Sequence, residues 1–248
     1  MSGFEVIVLG VGDTFSEVNH TTALLLVCDG FHLAVDCPDR YRAVLRNAAI
    51  RAGRTLFLSD IDHMIITHVH GDHMNGLEGV AFYKHFYDRR RLRLLTVPEV
   101  GAVIWDERLK ASMGTLWDGH QLRAMHREDY FDDVPLSWTG GISVGPFRIR
   151  ARRTQHHVPT AALRIEAAGR VLGFSSDTAF DPGLLEFFEP ADLIIHETNY
   201  GPAHTPYSAL AALPGSTRAR MRLIHYPDAF DVAGSVIPVL QEGEVLWV

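Results

Sequence analysis

The sequence is poor in cysteine and has no long apolar run, and both absences narrow the kind of protein it encodes. Two cysteines, Cys28 and Cys37, occur in 248 residues, which is too few for a disulfide framework. Both lie in apolar runs, where a buried free thiol is expected. No apolar stretch approaches the ~20 residues that cross a bilayer, and the N-terminus lacks the pattern of a signal peptide. The sequence therefore favours a cytoplasmic protein with no membrane partner.

An excess of basic residues is also missing. The chain has 23 lysines and arginines against 30 aspartates and glutamates, a net charge of −7. Proteins that grip nucleic-acid backbones carry the opposite balance, so the composition argues against a nucleic-acid partner. Two local basic runs remain: Arg89 to Arg93, and Arg148 to Arg153 just before His156. The second run either forms an electropositive wall for a small anionic substrate or is the solvated face of a strand.

The hydrophobic pattern predicts a mixed α/β chain in one domain, residues 1–248. A β-meander is expected first, then an amphipathic helix at 40–52 that ends before Gly53, then alternating strands and helices, including a helix at 74–87. Later strands are predicted at 147–152, 161–166, 171–174, 193–195, 221–224, 236–240 and 245–248. We see no linker, low-complexity tract or short repeat, so we expect stacked sheets with helices outside.

Four potential metal ligands lie within six residues, directly after a predicted strand that ends at Thr67. They are His68, His70, Asp72 and His73. His68 and His70 alternate along extended chain and can face one side, whereas Asp72 and His73 are adjacent and must diverge toward two positions. Imidazole nitrogen and carboxylate oxygen suit zinc and related metals, so the spacing predicts two metal ions. The alternative is a surface loop of solvated histidines.

This cluster, Thr67-His-Val-His-Gly-Asp-His73, resembles the signature of the metallo-β-lactamase superfamily. The later motifs of that superfamily follow in order, at Thr154-Gln-His-His-Val-Pro-Thr160, Gly173-Phe-Ser-Ser-Asp-Thr178 and Leu223-Ile-His-Tyr226. The resemblance covers nearly the whole chain. It implies a four-layer αββα sandwich, with two mixed β-sheets flanked by helices and the site on loops at one sheet edge.

The resemblance also implies a ligand set for two divalent ions, zinc first, with manganese or iron as alternatives. One ion is assigned to His68, His70 and His156, the other to Asp72, His73 and His225, with Asp177 bridging both. His156 and His157 compete for one position, and we prefer His156 because its spacing to Thr160 and Arg164 matches ribonuclease Z-like members. Taken alone, Asp177 is equally typical of a helix N-cap, and a lone His225 is more typical of a buried core residue.

The segment Ala191-Asp-Leu-Ile-Ile-His-Glu-Thr198 resembles the His-Glu-Ala-Thr motif of ribonuclease Z and its phosphodiesterase relatives. In that branch the histidine, here His196, stabilises charge or donates a proton at the scissile phosphate, and Glu197 orients it. The alternative is a buried structural pair. The long arm with which ribonuclease Z grips tRNA is missing between Asn75 and Arg153, so the resemblance carries over the chemistry and not the tRNA substrate.

These features predict a dinuclear hydrolase in which a metal-bound hydroxide attacks a small phosphodiester or other anionic ester. The predicted catalytic residues are His196, Glu197 and Asp72. Lactone, thioester or carboxylic ester hydrolysis is the alternative, and an iron-dependent redox or cofactor-biosynthesis protein is the alternative from another class. A homodimer is compatible with the sequence. Three aromatic residues are considered as pocket walls or, equally, as core or interface residues: Trp105, Trp117 and Phe131.

Overall fold

Two mixed β-sheets organise residues 3–248, which are the residues that the computed structural model describes. The first sheet has seven strands in the order β15-β1-β2-β3-β4-β5-β8. Their bounds are β1 Phe4–Gly10, β2 Ala23–Cys28, β3 Phe31–Val35, β4 His63–Ile65, β5 Leu92–Thr96, β8 Phe131–Pro135 and β15 Val245–Trp247.

The second sheet has six strands in the order β14-β13-β12-β11-β10-β9. They are β9 Gly141–Val144, β10 Phe147–Arg153, β11 Ala161–Ala167, β12 Arg170–Phe174, β13 Leu193–Glu197 and β14 Met221–Ile224. A separate two-stranded ribbon pairs β6 Thr115–Trp117 with β7 Leu122–Ala124. In each large sheet, antiparallel pairs come first along the chain and parallel pairs follow. The last strand, β15, then returns to the first sheet and pairs antiparallel with β1.

The predicted β-meander is confirmed as β1, β2 and β3. Its strands pair antiparallel, with Val6 opposite Leu26 and Leu26 opposite Leu33. The turn between β2 and β3 is Asp29-Gly30, both with positive φ, which is the turn that matches the twist of paired strands. Most side chains of β1 and β2 are buried, because the sheet is covered on both faces.

Helices cover the outer faces of both sheets. They are α1 Tyr41–Arg51, α2 Gly71–Met74, α3 Leu77–Tyr83, α4 Pro98–Val103, α5 Lys110–Met113, α6 Pro182–Phe188, α7 Tyr207–Ala211 and α8 Gly215–Ala219. Two π-helical turns, at Lys84–Asp88 and Ile104–Leu109, and two 3₁₀ turns, at Leu58–Asp60 and Arg127–Asp129, complete the set. The prediction of α1 is confirmed to within one residue at each end.

Two predicted elements differ from the structure. The helix expected at 74–87 is divided into α2, α3 and a π-helical turn. The break between α2 and α3 falls at Gly76, whose N–H donates to the Cys37 carbonyl at 2.9 Å and where a Cβ would lie 2.1 Å from the Pro38 carbonyl oxygen. The strand expected at 236–240 is a single bridge between Val239 and Leu223. Pro238 lacks the N–H that a regular strand would use for pairing.

Aromatic and aliphatic side chains join the two sheets face to face. Phe4 of β1 and Phe31 of β3 meet Phe147 of β10 with ring centroids 5.4 and 6.0 Å apart. A second buried cluster packs α6, through Leu184 and Phe188, against the outer face of the second sheet. These layers confirm the αββα sandwich. Both cysteines are buried free thiols, and no helix within residues 3–248 has the length and apolarity to span a bilayer.

Candidate metal centre

Four chain segments meet at one edge of the sandwich, each of them just after a strand. His68 and His70 lie in the loop after β4, and His156 follows β10. Asp177 follows β12, and His225 follows β14 directly. The carboxyl ends of parallel strands are where α/β sheets place their ligand sites, and loops there are free to present polar side chains. The topology therefore collects residues that are far apart in sequence.

The first group of side chains contains His68, His70, His156 and Asp177. Each offers one ligand atom, and these atoms all lie within 4.8 Å of one another. The Nε2 atom of His156 is 3.1 Å from Nδ1 of His70, and it is 3.7 Å from Oδ2 of Asp177. The Nε2 atom of His68 is also 3.7 Å from that oxygen. Three imidazoles and one carboxylate thus face a common centre.

The second group contains Asp72, His73 and His225, again with ligand atoms within 4.8 Å. The Nε2 atom of His73 is 3.4 Å from Oδ2 of Asp72 and 3.3 Å from Oδ1 of Asp177. The Nε2 atom of His225 is 3.3 Å from Oδ2 of Asp177. The Asp177 carboxylate therefore stands between the two groups, where a bridging ligand would have to be.

Unpartnered nitrogen atoms show that this donor set fits metal ions. The Nε2 atoms of His68 and His73 are buried and have no hydrogen-bond partner among the described residues. Buried polar atoms of this kind are costly when nothing satisfies them. Imidazole nitrogen and carboxylate oxygen are ligands for zinc, manganese and iron, so a divalent cation in each group would satisfy both atoms.

Supporting hydrogen bonds hold the opposite nitrogen of the ligand histidines. Nδ1 of His73 lies 2.8 Å from Oδ2 of the fully buried Asp36. Nδ1 of His225 lies 3.0 Å from Oγ1 of Thr22, which itself donates to the Gly12 carbonyl. Nδ1 of His156 donates to the Ala203 carbonyl over 3.1 Å. Such contacts fix the ring orientation and leave Nε2 for a metal.

Arg108, further along the chain, also supports the loop that carries His68 and His70. Arg108, at the end of the second π-helical turn, donates to the Val69 carbonyl over 2.5 Å and to Oδ1 of Asn75 over 3.0 Å. Val69 lies between His68 and His70, so this guanidinium pins the backbone of the loop that carries them. Sequence reasoning missed Arg108, since nothing in its neighbourhood marks it as a partner of that loop.

The electrostatics leave the carboxylates charged and most imidazoles neutral. Burial by itself raises the pKa of Asp177, but the neighbouring His225 and His73 outweigh it and hold that pKa well below its usual range. Burial lowers the pKa of His68 and of His225, and it lowers the pKa of His156 to about 4. These are the protonation states that metal ligands require. His73 is the exception: burial lowers its pKa, but Asp177, Asp72 and Asp36 outweigh this and raise it well above its usual value, so a cation bound there would have to displace a proton.

Backbone strain marks two of the same positions. His225 has φ of 57°, and Ser176, directly before Asp177, has φ of 50°. Residues other than glycine rarely adopt the left-handed region, and such outliers concentrate at functional sites. Here the strained backbone turns His225 and Asp177 back over the strand ends toward each other.

The structure distinguishes His156 from His157. His156 belongs to the first group, whereas His157 belongs to neither group and is exposed. The ring of His157 is 6.2 Å from that of His70, compared with 4.8 Å for His156. This geometry favours the register that the sequence analysis preferred.

His196 does not reach the site, and its expected role as proton donor is not supported by its position. Its side chain is fully buried, Nδ1 contacts the carbonyl of Glu197 at 2.8 Å, and Nε2 has no partner among residues 3–248. Successive side chains of a strand point to opposite faces, so His196 and Glu197 cannot both face the metal ligands. Glu197 is the one that does, since its Oε1 accepts from the backbone N–H of Thr178 over 2.7 Å.

His204 occupies the place that the sequence analysis gave to His196. Its Nδ1 is 3.0 Å from Oε1 of Glu197, and its ring stacks 5.6 Å from that of His225 and lies 5.2 Å from that of His156. The side chain keeps 20% exposure, so a substrate can reach it. The available signal was chemical: a buried glutamate needs a partner, and His204 is a histidine in the loop that follows it.

The pair of Glu197 and His204 retains a proton. Burial raises the pKa of Glu197 to about 8. Burial lowers the pKa of His204, but the hydrogen bond and charge of Glu197 outweigh this and raise that pKa overall. Both shifts favour a protonated pair near neutral pH, which is the state that a general acid requires.

The aromatic residues and the second basic run have mostly structural positions. Phe131 is buried in the core and cannot line a site, Trp105 is nearly buried, and Trp117 is exposed on the β6–β7 ribbon. Arg148 and Arg150 of β10 alternate with buried residues and are exposed. Arg152 pairs with Asp181 and Arg153 with Glu99. This run is a strand face with its own partners, as the plainer interpretation predicted.

Comparison with known proteins adds a family. The model of the family described as "Anti-Pycsar protein Apyc1" matches residues 4–235. An anti-Pycsar protein Apyc1 from Paenibacillus xerothermodurans is 25% identical, over 92% of this chain and 89% of its own. A "cAMP/cGMP-dependent 3',5'-cAMP/cGMP phosphodiesterase B" from Dictyostelium discoideum is 27% identical over 92% of this chain. The match spans about a fifth of that longer relative.

Solved structures share the fold. The metallo-β-lactamase fold protein YhfI from Bacillus subtilis superposes with a TM-score of 0.77 at 18% identity, over 99% of this chain and 100% of its own. The short form of human tRNase Z superposes with a TM-score of 0.69, also at 18% identity, over 98% of both chains. The predicted metallo-β-lactamase fold and its likeness to ribonuclease Z are confirmed.

Proposed function

The chain belongs to the anti-Pycsar protein Apyc1 family, and from this premise we propose that it is a metal-dependent phosphodiesterase that opens the phosphodiester ring of cyclic nucleotides. The observation that carries the proposal is the meeting of two ligand groups with the His204–Glu197 pair at one sheet edge. The names of two relatives support the same chemistry, since one is called a cAMP/cGMP phosphodiesterase and one an anti-Pycsar protein.

We assign two divalent ions, zinc first, to the two groups. His68, His70 and His156 would hold one ion, Asp72, His73 and His225 the other, and Asp177 both. Ions held there would lower the pKa of a coordinated water to near neutral and would offset the negative charge on a phosphate. The residues of the chain supply orientation: Asp72 and Asp177 accept hydrogen bonds from the attacking water and direct it to phosphorus.

His204 is proposed as the acid that protonates the leaving oxygen. It is partly exposed, its ring lies beside those of His225 and His156, and Glu197 fixes its Nδ1. When the P–O bond of a phosphodiester breaks, the ester oxygen leaves as an alkoxide unless a proton is delivered to it. A histidine with a raised pKa next to the candidate metal ligands is suited to deliver that proton. Glu197 acts as a positioning residue, because it is buried and reaches substrate only through His204.

The experiment is an assay of the purified protein, loaded with zinc or manganese, on 3',5'-cyclic nucleotides. We expect linear nucleoside monophosphates as products, separated by chromatography, and two zinc or manganese ions per chain by elemental analysis. A panel of lactones, thioesters and carboxylic esters serves as the control and should be turned over far more slowly. Preferential turnover of that panel, or one iron per chain with no hydrolysis, would replace the proposal by one of the alternatives.

A further inference from the structure

The basic run Arg89 to Arg93 has no role in the metal centre, yet the structure gathers it around a cavity of about 650 Å³. We call this cavity the arginine bowl. Its lining residues are Asp62, His63, His85, Arg89, Arg90, Arg91, Arg93, Asp129 and Asp132. Its volume lies in the range of small-molecule sites.

The arginine bowl lies at the opposite end of the first sheet from the metal centre. His63 begins β4 and Arg93 is in the first half of β5, where the two residues are paired. His68 comes five residues after His63, beyond the carboxyl end of β4. At ~3.3 Å per residue the two ends are about 16 Å apart, so the bowl is a separate site.

Each carboxylate in the bowl already has a cationic or N–H partner. Asp62 accepts from Lys84 at 2.9 Å and from Arg90 at 2.8 Å. Asp132 pairs with Arg91 at 2.9 Å. Asp129 accepts from the backbone N–H of His126 at 2.7 Å. None of these three carboxylates is within ion-pair distance of Arg89 or Arg93.

Two guanidinium groups of the bowl have no ion-pair partner among the described residues. Among residues 3–248, neither Arg89 nor Arg93 has a carboxylate within ion-pair distance. The polar partner of Arg93 is Nε2 of His63 at 3.2 Å, and His63 is 92% buried with its ring against that of Phe31. The His63 nitrogen carries no negative charge, so Arg93 has no ion-pair partner among the described residues.

Buried ion pairs hold the π-helical turn that precedes Arg89. Lys84 is fully buried in the π-helical turn and pairs with both Asp62 and Asp88 at 2.9 Å. The turn ends at Arg89 in the left-handed conformation, with φ of 54°. Isolated π-helical turns and left-handed residues both concentrate at functional positions. This backbone presents Arg89 on the same side as Arg93.

We propose that the arginine bowl binds a phosphate monoester dianion of nucleotide size. Two guanidiniums without an ion-pair partner are available to donate to a phosphate, the lining carries a net charge of +1 from four arginines and three aspartates, and the planar guanidinium forks match the geometry of phosphate oxygens. The cavity exceeds what inorganic phosphate fills, which favours a phosphate carried on a larger molecule. The site goes beyond the proposed function and does not require it, although a nucleoside monophosphate would also be the product of that reaction.

The test is calorimetric titration of the zinc-loaded protein with a nucleoside 5'-monophosphate and, separately, with inorganic phosphate. Since the metal centre also attracts phosphate, we expect two sites in the unchanged chain. The double variant Arg89→Ala with Arg93→Ala should lose one site, with affinity there weaker by at least about tenfold, as expected for lost charge-assisted hydrogen bonds. Asp177→Ala should keep the bowl site, and Arg93→Lys should restore it in part.

The matched control is Arg46→Ala with Arg148→Ala, which removes the same charge from exposed positions elsewhere. It should keep both sites. Loss of the second site in this control, equal binding in the Arg89→Ala and Arg93→Ala variant, or a single site in the unchanged chain would overturn the inference. So would tighter binding of a short single-stranded RNA than of the monophosphate at equal phosphate concentration. Inorganic phosphate binding as tightly as the nucleotide would contradict the size argument.

Binding is measured directly, so the two proposals fail separately. A protein that binds the monophosphate in the bowl but hydrolyses no cyclic nucleotide supports the bowl and refutes the proposed function. A protein that hydrolyses cyclic nucleotides but shows no bowl site supports the proposed function and refutes the bowl. The Arg89→Ala and Arg93→Ala variant should keep its rate on a cyclic nucleotide within about twofold, because surface changes away from the ligands rarely affect chemistry.

Discussion

The two ends of β4 and β5 differ in how their charged groups are satisfied. At the carboxyl end, buried histidines surround Asp177, the opposite ring nitrogens of several are tethered, and two Nε2 atoms have no partner. At the amino end, arginines are exposed, every carboxylate has a hydrogen-bond partner, and two guanidiniums have no ion-pair partner among the described residues. At the buried carboxyl end, a ring nitrogen without a partner is costly in free energy. At the exposed amino end, water screens the charges of the arginines. We therefore expect large effects of substitution at the metal centre and small ones in the bowl.

The largest effect should come from Asp177→Ala. The carboxylate stands between both ligand groups, so its loss should lower metal content toward one ion per chain and reduce hydrolysis by several orders of magnitude, because the two-ion mechanism needs both charges held together. Elemental analysis and initial rates on a cyclic nucleotide measure this. Asp106→Ala, at an exposed aspartate, is the control and should behave as the unchanged chain. Two tightly held metals in the Asp177 variant would contradict the bridging role.

The next effect separates His204 from His196. His204→Ala should keep both metals and the fold but lose on the order of 10² to 10⁴ in turnover, the usual contribution of a positioned acid. Its deficit should be larger on an alkyl diester than on a nitrophenyl diester, because a nitrophenolate needs little protonation.

His196→Ala is the matched histidine variant. It should leave the difference between the two diesters unchanged and should lower the midpoint of thermal unfolding, since the residue is buried behind the sheet. An equal deficit on both diesters in His204→Ala would show that this histidine positions groups and does not donate a proton.

A third comparison uses neighbouring histidines. His156→Ala should weaken metal binding by at least about a hundredfold, because it removes a ligand from the first group, while His157→Ala should change it little. Titration with zinc against a competing chelator gives both affinities. Equal affinities in the two variants would contradict the choice of His156 over His157 as the ligand.

The smallest effect expected at the metal centre comes from a supporting residue. Asp36→Asn keeps the shape of the group that faces His73 Nδ1 and Thr67 but removes its charge. Supporting partners of metal ligands typically contribute 10- to 100-fold in affinity, so we expect a loss of about that size. The same chelator competition measures it, with Asp39→Asn, at an exposed position three residues further along the chain, as the control. An unchanged affinity would show that His73 is oriented without Asp36.

Several parts of the molecule could be predicted because their signal is local. The spacing His68, His70, Asp72 and His73 places four ligands on one loop whatever the rest of the chain does. The meander of β1 to β3 and the helix α1 follow from periodicity and turn residues that are adjacent in sequence. The resemblance then placed Asp177 and His225 in the same centre, where the structure has them.

Other parts depend on contacts that no local pattern contains. His196 and His204 illustrate this, since both flank Glu197 and the sequence favoured the nearer one. The pleat of β13 turns His196 away from the ligands, and the following loop returns His204 to Glu197. The division of the helix at 74–87 likewise depends on Gly76 passing close to Pro38, which lies far back along the chain.

The sequence by itself determined the ligand loop, the class of fold and the kind of chemistry, because residue type and short-range spacing encode them. The tertiary structure alone decided which histidine accompanies Glu197, which of His156 and His157 joins the candidate ligand group, and which arginines remain without an ion-paired carboxylate. These three outcomes have one physical reason. Each depends on side chains that are distant in sequence and brought together by the packing of two sheets, and only the folded chain fixes those distances.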